Sequence, residues 1–339
     1  MTKIAVLTAG HIHTPGFAEN MKKRVAAGEI EIKGVYDQNK PVAEKWASFL
    51  GVPVLHCFTE ALKDDSVKAV VITGTTAQHD HLAVSCAKAG KHMFIEKPLA
   101  TTPAEAWRIY TAVKESGVIF QTGHFRRSEA LNRFIKQEID AGNLGTITRA
   151  RHTNCHSGAL GGWFDKEYRW FFQKDQGGGG GLMDLGCHSL DILVYWFGPV
   201  EKATAMLAPQ NIKYSNIDEY GEAIVKHKNG VVSTFAGSWV DVSNPVILEV
   251  SGTEGHLHVQ YGKLYYKSSR TKVAGADGKT PIDFSGLATG LPHAFDLFFE
   301  VLAGKQDKSV LVPIDDALNV ALAMNAAYEG HRLGCWVNV

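Results

Sequence analysis

Over its first 120 residues the chain alternates short β-rich runs with stretches of helical period, and this alternation restricts the fold more than any other feature. Parallel strands need a long crossover, so repeated strand-helix units read as a doubly wound sheet with helices on both faces. Residues 3–8 (KIAVLT), 30–37, 67–73, 92–96 and 118–122 supply strands. Residues 17–27, 41–50, 82–89 and 102–116 supply helices, the last opened by a Thr-Pro cap. This is the pattern of a nucleotide-binding domain.

From residue 124 the pattern changes. Strands follow one another at 146–154, 200–207, 219–227, 231–240, 246–252 and 256–260, and Lys228-Asn229-Gly230 is a hairpin signal between two of them. With helices at 184–197, 294–303 and 314–330, this predicts an α+β domain on an antiparallel sheet. A length of 339 residues suits two cores, and we place them at 1–123 and 124–339. Lys plus Arg and Asp plus Glu balance at 35 each with no basic run, which argues against nucleic acid or a membrane surface as partner. No apolar run approaches the roughly 18 residues of a spanning helix. Five scattered cysteines without a CxxC fit reduced thiols and a cytoplasmic location. The partner expected is a small molecule.

The turn after the first strand reads Thr8-Ala9-Gly10-His11-Ile12-His13. A dinucleotide-binding turn uses three glycines, and only the central one, where backbone meets pyrophosphate, is present as Gly10; Thr8 and His13 take the other two places. His11 and His13 read as phosphate-side donors or as ordinary polar turn residues, the second being preferred. Asp37 closes the second strand where an adenosine ribose would lie, and a carboxylate there accepts from a 2'-hydroxyl and repels a 2'-phosphate. That favours NAD over NADP.

Two further segments carry chemistry. In FIEKPL (94–99), Lys97 ends a strand at the sheet edge where ligands of open α/β sheets bind. It reads either as a solvated partner of Glu96 or as a donor to a reacting hydroxyl. In GGGGGLMDLGCHSLD (177–191), five glycines suit close approach of a ligand to backbone. The helix after them sets Asp184 and His188 at i and i+4, with Asp191 three later on the same side. That face reads as acid-base chemistry, a metal set joined by His156, or a buried polar network.

In order and spacing, AGKHMFIEKPLA (89–100), GHFRR (123–127) and GGGGGLMDLGCHSLDIL (177–193) resemble the glucose-fructose oxidoreductase / inositol dehydrogenase / MocA (Gfo/Idh/MocA) family of NAD(P)-dependent enzymes, over nearly the whole chain. The resemblance implies a Rossmann domain followed by an α+β domain with a large open antiparallel sheet. It implies Lys97, Asp184 and His188 as the catalytic set, and Thr75, Glu96 and Arg127 near the cofactor. The cofactor-binding residues expected are Thr8, Gly10, His11, Ile12, Asp37, Thr75, His79, Glu96, Lys97 and Arg127. Substrate-binding residues expected are Lys97, Asn154, His156, Trp163, Asp184 and His188, and no metal is expected.

Oxidation of a secondary alcohol removes the hydroxyl proton as hydride leaves the carbon, which assigns His188 as base, Asp184 as orienting group and Lys97 as donor to the reacting oxygen. Trp163, Phe164 and Trp170 read as faces for a sugar or cyclitol or as core aromatics. Rival readings are a tightly held NAD used for transient oxidation in glycoside cleavage or sugar-sugar hydride exchange, and a non-catalytic sensor. A homodimer or homotetramer is expected, its partner subunit covering the open sheet face.

Overall fold

The computed structural model describes residues 1–208 and 211–339. The chain divides into two compact units, the first made of Met1–Gly123, Phe164–Gly178 and His293–Leu318, the second of His124–Trp163, Gly179–Pro292 and Asn319–Val339.

The first unit is built on five parallel strands, β1 (Thr2–Leu7), β2 (Ile30–Tyr36), β3 (Val67–Ile72), β4 (His92–Ile95) and β5 (Phe120–Thr122), in the order β2-β1-β3-β4-β5. The crossovers carry α1 (Thr14–Ala26), α2 (Lys40–Leu50), the short α3 (Thr59–Lys63), α4 (His79–Lys88) and α5 (Pro103–Ser116). Local sequence sets their ends. Thr102 and Glu105 form a capping box ahead of α5, with Pro103 in its first turn and Gly117 at φ 67° behind it. Strand order reverses at β1, so the turns after β1 and β3 open side by side at the C-terminal edge, the position where such sheets bind ligands.

The second unit opens with α6 (Ala130–Asp140) and β6 (Ile147–Cys155). The one-turn α7 (Lys174–Gly177) belongs to the first unit; a π-helical turn, Leu182–Gly186, then leads into α8 (Cys187–Phe197) of the second. Strands β7 (Val200–Ala208), β8 (Tyr220–His227), β9 (Val232–Ser238), β10 (Val246–Gly252), β11 (Gly255–Gln260), β12 (Lys263–Ser268) and β13 (Asp277–Ile282) follow. After α9 (Ala294–Leu302) and α10 (Ile314–Leu333), the short β14 (Val337–Asn338) completes a nine-stranded sheet in the order β13-β12-β11-β10-β6-β9-β8-β7-β14. Its pairs are antiparallel except β6 with β9, which are parallel and return the chain to the middle of the sheet. The sequence reading lacks β12, whose ends are Lys and Ser, β13, which carries Gly and Pro, and β14, which is two residues long.

One face of this sheet is covered by α8, whose residues are buried nearly all round; Leu190, Leu193 and Val194 pack with Val225, Phe235 and Val250. In the first unit, α9 lays Phe295 and Phe298 on the parallel sheet, with the Phe295 ring 4.8 Å from Phe94 and 4.4 Å from Phe17. Among the described residues one helical stretch, Lys308–Leu333, is long and apolar enough to cross a membrane, and 61% of its apolar window is buried inside the fold.

Candidate active site

In the first unit, the turn after β1 is held by Asp37. Its Oδ2 accepts the Ala9 N–H at 2.8 Å and its Oδ1 the Asn39 N–H at 2.8 Å. Burial raises the Asp37 pKa, and those two bonds work against the rise. Thr8 takes the place of the first glycine with φ 77°, a left-handed conformation that is an outlier for a β-branched residue. Gly74, after β3, makes this possible, since a Cβ there would lie 2.5 Å from Thr8 Oγ1. A Cβ on Gly10 would meet nothing within 4 Å, so open space lies in front of the central loop position. Ile12 is half-buried in the same turn, and Thr75 N–H donates to Gln78 Oε1 at 2.9 Å ahead of α4.

His11 is not an ordinary solvated turn residue. It is 1% exposed, lies 5.6 Å from the Trp170 ring and 5.3 Å from Phe171, and accepts the His13 N–H at Nδ1 over 3.1 Å. That bond places the proton of a neutral His11 on Nε2. His13 Nδ1 is 3.1 Å from Glu96 Oε1. Glu96 sits just past β4, fully buried, with Gly123 making room for its carboxylate and Lys97 N–H donating to Oε2 at 2.7 Å. Burial pushes the Glu96 pKa up, but His13 and His11, the His13 bond and Lys97 outweigh it and hold the carboxyl well below the usual range. Lys97 is 2% exposed and precedes a cis peptide to Pro98. It is therefore not the solvated surface lysine that composition alone would favour.

His79, at the start of α4, lies with Nδ1 3.0 Å from the Pro98 carbonyl and 3.2 Å from that of Leu99. Burial lowers its pKa to about 4, so the ring is neutral, with Nδ1–H donating and a lone pair on Nε2.

In the second unit, the glycine run serves packing of the protein against itself. A Cβ on Gly180 would sit 1.9 Å from the Asp218 carbonyl, one on Gly181 2.5 Å from that of Glu219, and one on Gly179 2.5 Å from Tyr328 Oη. The Asp218 carboxylate accepts the N–H groups of Gly180 at 2.9 Å and Leu182 at 3.0 Å and the Tyr328 hydroxyl at 2.9 Å, capping the helical segment that bears the polar face. The reading of these glycines as room for a ligand gives way to this one.

Asp184 lies within the π turn, a local widening often found at functional sites. Its Oδ2 accepts the indole N–H of Trp239 at 2.9 Å, both residues being buried. His188, also buried, meets His124 nearly edge-on at 6.0 Å and Phe125 at 5.4 Å. Asp191 has another role. Arg127 donates to it from Nε at 3.0 Å and from Nη2 at 2.7 Å, so this carboxylate orders the guanidinium. The group of three potential ligands brought within 4.8 Å among the described residues is His11, His13 and Glu96, not Asp184, His188 and Asp191.

Asn154 Oδ1 accepts from Arg126 at 3.0 Å, while its amide donates to the Leu185 carbonyl at 3.3 Å. The His156 ring lies 4.9 Å from that of Trp163, which is 55% exposed. Phe164 and Trp170 are core aromatics of the first unit, Trp170 donating to the Gly10 carbonyl at 3.0 Å.

The Rossmann-fold description of the GFO/IDH/MocA oxidoreductase family matches residues 2–124, and the GFO/IDH/MocA C-terminal domain description matches residues 132–258. The chain belongs to the Gfo/Idh/MocA family. Within it, a 1,5-anhydro-D-fructose reductase of Ensifer adhaerens is 29% identical over 202 residues, which span 58% of this chain and 58% of that protein. The match thus reaches less than two thirds of the reductase. Levoglucosan dehydrogenase of Pseudarthrobacter phenanthrenivorans is 25% identical over 323 residues, 82% of this chain and 81% of that one. The structure of GenD2 from gentamicin A biosynthesis, in complex with NAD, aligns at a TM-score of 0.78 and 25% identity, covering 100% of this chain and 96% of that one.

In this Gfo/Idh/MocA chain the residues at the parallel-sheet edge fit a dinucleotide. Thr8 Oγ1, in the turn after β1, and Thr76 Oγ1 and His79 Nε2, in the segment after β3, are buried without a hydrogen-bond partner among the described residues, and space is open at Gly10. Residues that sequence reasoning missed are Trp239, His124, Phe125, Arg126 and Asp218. Only GHFRR, quoted for the resemblance, marked any of them in advance.

Proposed function

We propose that this protein oxidises a secondary hydroxyl of a sugar, cyclitol or sugar derivative with NAD as the hydride acceptor. The observation that carries the reading is Lys97, buried to 2% exposure at the C-terminal edge of a parallel sheet beside an anionic, buried Glu96. A lysine is seldom kept in such a place for stability alone. The sugar-directed names of the two curated relatives support the substrate class, and Asp37 at the end of β2 supports NAD over NADP.

Nicotinamide supplies the hydride-accepting carbon. His188 takes the hydroxyl proton, an imidazole being suited to that transfer near neutrality. Lys97 donates to the reacting oxygen and stabilises the alkoxide charge that develops there. Asp184, steadied by Trp239, orients a hydroxyl or the His188 ring. Thr8, Gly10, His11, Ile12, Asp37, Thr75, His79 and Glu96 line the cofactor side, with Arg127 held by Asp191. Asn154, His156 and Trp163 face the substrate, the half-exposed Trp163 offering an apolar face to a ring. A homodimer or homotetramer in a reducing, cytoplasmic setting completes the reading.

The test is a screen of sugars, cyclitols and sugar acids for reduced-cofactor formation, run with NAD and NADP in parallel. Turnover of at least one polyol, faster with NAD, is the expected result. Turnover of none, with NAD bound, would leave the sensor reading in its place.

A further inference from the structure

We propose that Glu219 is a positioning residue whose buried carboxylate folds the loop at 211–216 into one wall of the substrate site, and that this loop selects among substrates. The inference rests on the reaction proposed above. Local sequence shapes the loop. Asn211 and Asn216 take left-handed backbone at φ 49° and 64°, which asparagine tolerates better than most residues, and the Asn216 N–H donates to Asn211 Oδ1 at 3.3 Å. A single carboxylate then ties this turn down. Glu219 Oε2 accepts the Ile212 N–H at 2.6 Å, and Oε1 accepts those of Lys213 at 2.7 Å and Tyr214 at 2.8 Å. Consecutive backbone donors that converge in this way form an anion-binding nest, and here the chain supplies its own anion.

The register says where the loop is tied. Tyr220 pairs with Ser238, and one step further the Trp239 N–H donates to the Glu219 carbonyl at 2.9 Å, so Glu219 and Trp239 stand opposite each other. Opposed residues of antiparallel strands turn their side chains to the same face. For Trp239 that is the face covered by α8, because its indole N–H donates to Asp184. The loop is therefore anchored beside the Trp239–Asp184 contact, on the covered face of the sheet and not on its open one. Glu219 is 0% exposed, and a carboxylate so buried is tolerated only because its bonds are made. Those bonds go to loop backbone, so the residue fixes the shape of the loop. Tyr214 is buried and roots the loop, while Ile212, 55% exposed, is the apolar side chain it offers to the carbon face of a sugar or cyclitol ring.

The test uses the full-length protein with NAD and the two polyols that the parent turns over fastest in the screen above. Glu219→Gln keeps the size of the side chain but sets an NH2 group against a backbone N–H. Amide exchange over residues 212–214, read by mass spectrometry, should quicken at least about tenfold in this variant. KM should rise at least about tenfold with kcat within about threefold of the parent and NAD affinity unchanged, since the loop binds substrate and does not carry out the chemistry. Ile212→Ser alters an exposed side chain and should melt and exchange like the parent. It should nevertheless change the ratio of kcat/KM between the two polyols by about threefold or more. Slow exchange retained in Glu219→Gln would overturn the positioning role. Faster exchange with parental KM, or a parental ratio in Ile212→Ser, would remove the loop from the substrate site. A joint fall of kcat, NAD affinity and melting temperature in Glu219→Gln would make the residue a support of the fold only. A parent that turns over no polyol overturns the reaction itself, and the selecting role with it, whatever the exchange shows.

Discussion

Thr8 adopts a glycine's backbone conformation with a threonine's side chain, and its neighbours show how that is tolerated. A non-glycine residue held at φ 77° costs of order 1–3 kcal/mol, and its Oγ1 lies over Gly74, where any Cβ would collide with it. Sequence alone reported the missing glycine but not this compensation. At the chemical residues, Lys97→Ala and His188→Ala should each lower turnover at least about a hundredfold while NAD binding, followed by fluorescence titration, persists. Near-normal turnover in both would remove them from the acid-base set. Trp239→Phe keeps an aromatic side chain, though a smaller one than the indole, and deletes the N–H that bonds Asp184. Its expected effect is a drop in kcat of about tenfold or more while NAD binding is unchanged. An unchanged kcat would make Trp239 a packing residue only.

At the scale of elements, the glycine run illustrates how one composition admits two meanings. Five glycines in a row tell of close approach, and only the fold says what approaches. Here it is the backbone at Asp218 and Glu219 and the hydroxyl of Tyr328, all more than thirty residues away in sequence. Gly180→Ala should therefore destabilise the protein by about 3 kcal/mol or more in urea unfolding, since a backbone carbonyl lies where the methyl must go. Gly16→Ala, in the first turn of α1 with nothing within 4 Å, should be neutral or stabilising by up to about 1 kcal/mol. Equal effects from the two would refute the packing account of the run. The π turn at Leu182–Gly186 is likewise invisible to a 3.6-residue period, which predicts Asp184, His188 and Asp191 along one stripe. In the structure Asp191 is bound to Arg127, and the stripe carries two separate polar sites.

For the molecule as a whole, buried neutral histidines set the response to acid. Burial lowers the pKa of His79 in the first unit to about 4; burial, with Arg126 adding to it, lowers that of His152 in the second to about 3. In the unfolded chain both protonate near pH 6.5, so below that value the unfolded state binds more protons and stability falls as pH falls. The loss should approach about 1.4 kcal/mol per pH unit for each histidine between roughly pH 6 and 4, measured by urea unfolding. His79→Gln should flatten the slope by about one proton; an unaltered slope would refute its part. The alternation of strands and helices, the shift to consecutive strands, and the EKP and DxGxHxxD segments were legible because each rests on local period or spacing. What only the tertiary structure decided depends on contacts distant in sequence: the return of Phe164–Gly178 and His293–Leu318 to the first unit, the parallel pairing of β6 with β9, the capping of Gly180 and Leu182 by Asp218, and the hold of Trp239 on Asp184. Local pattern records which face of an element is apolar, but not which distant backbone or indole will meet it, because that partner is chosen by packing of the whole chain.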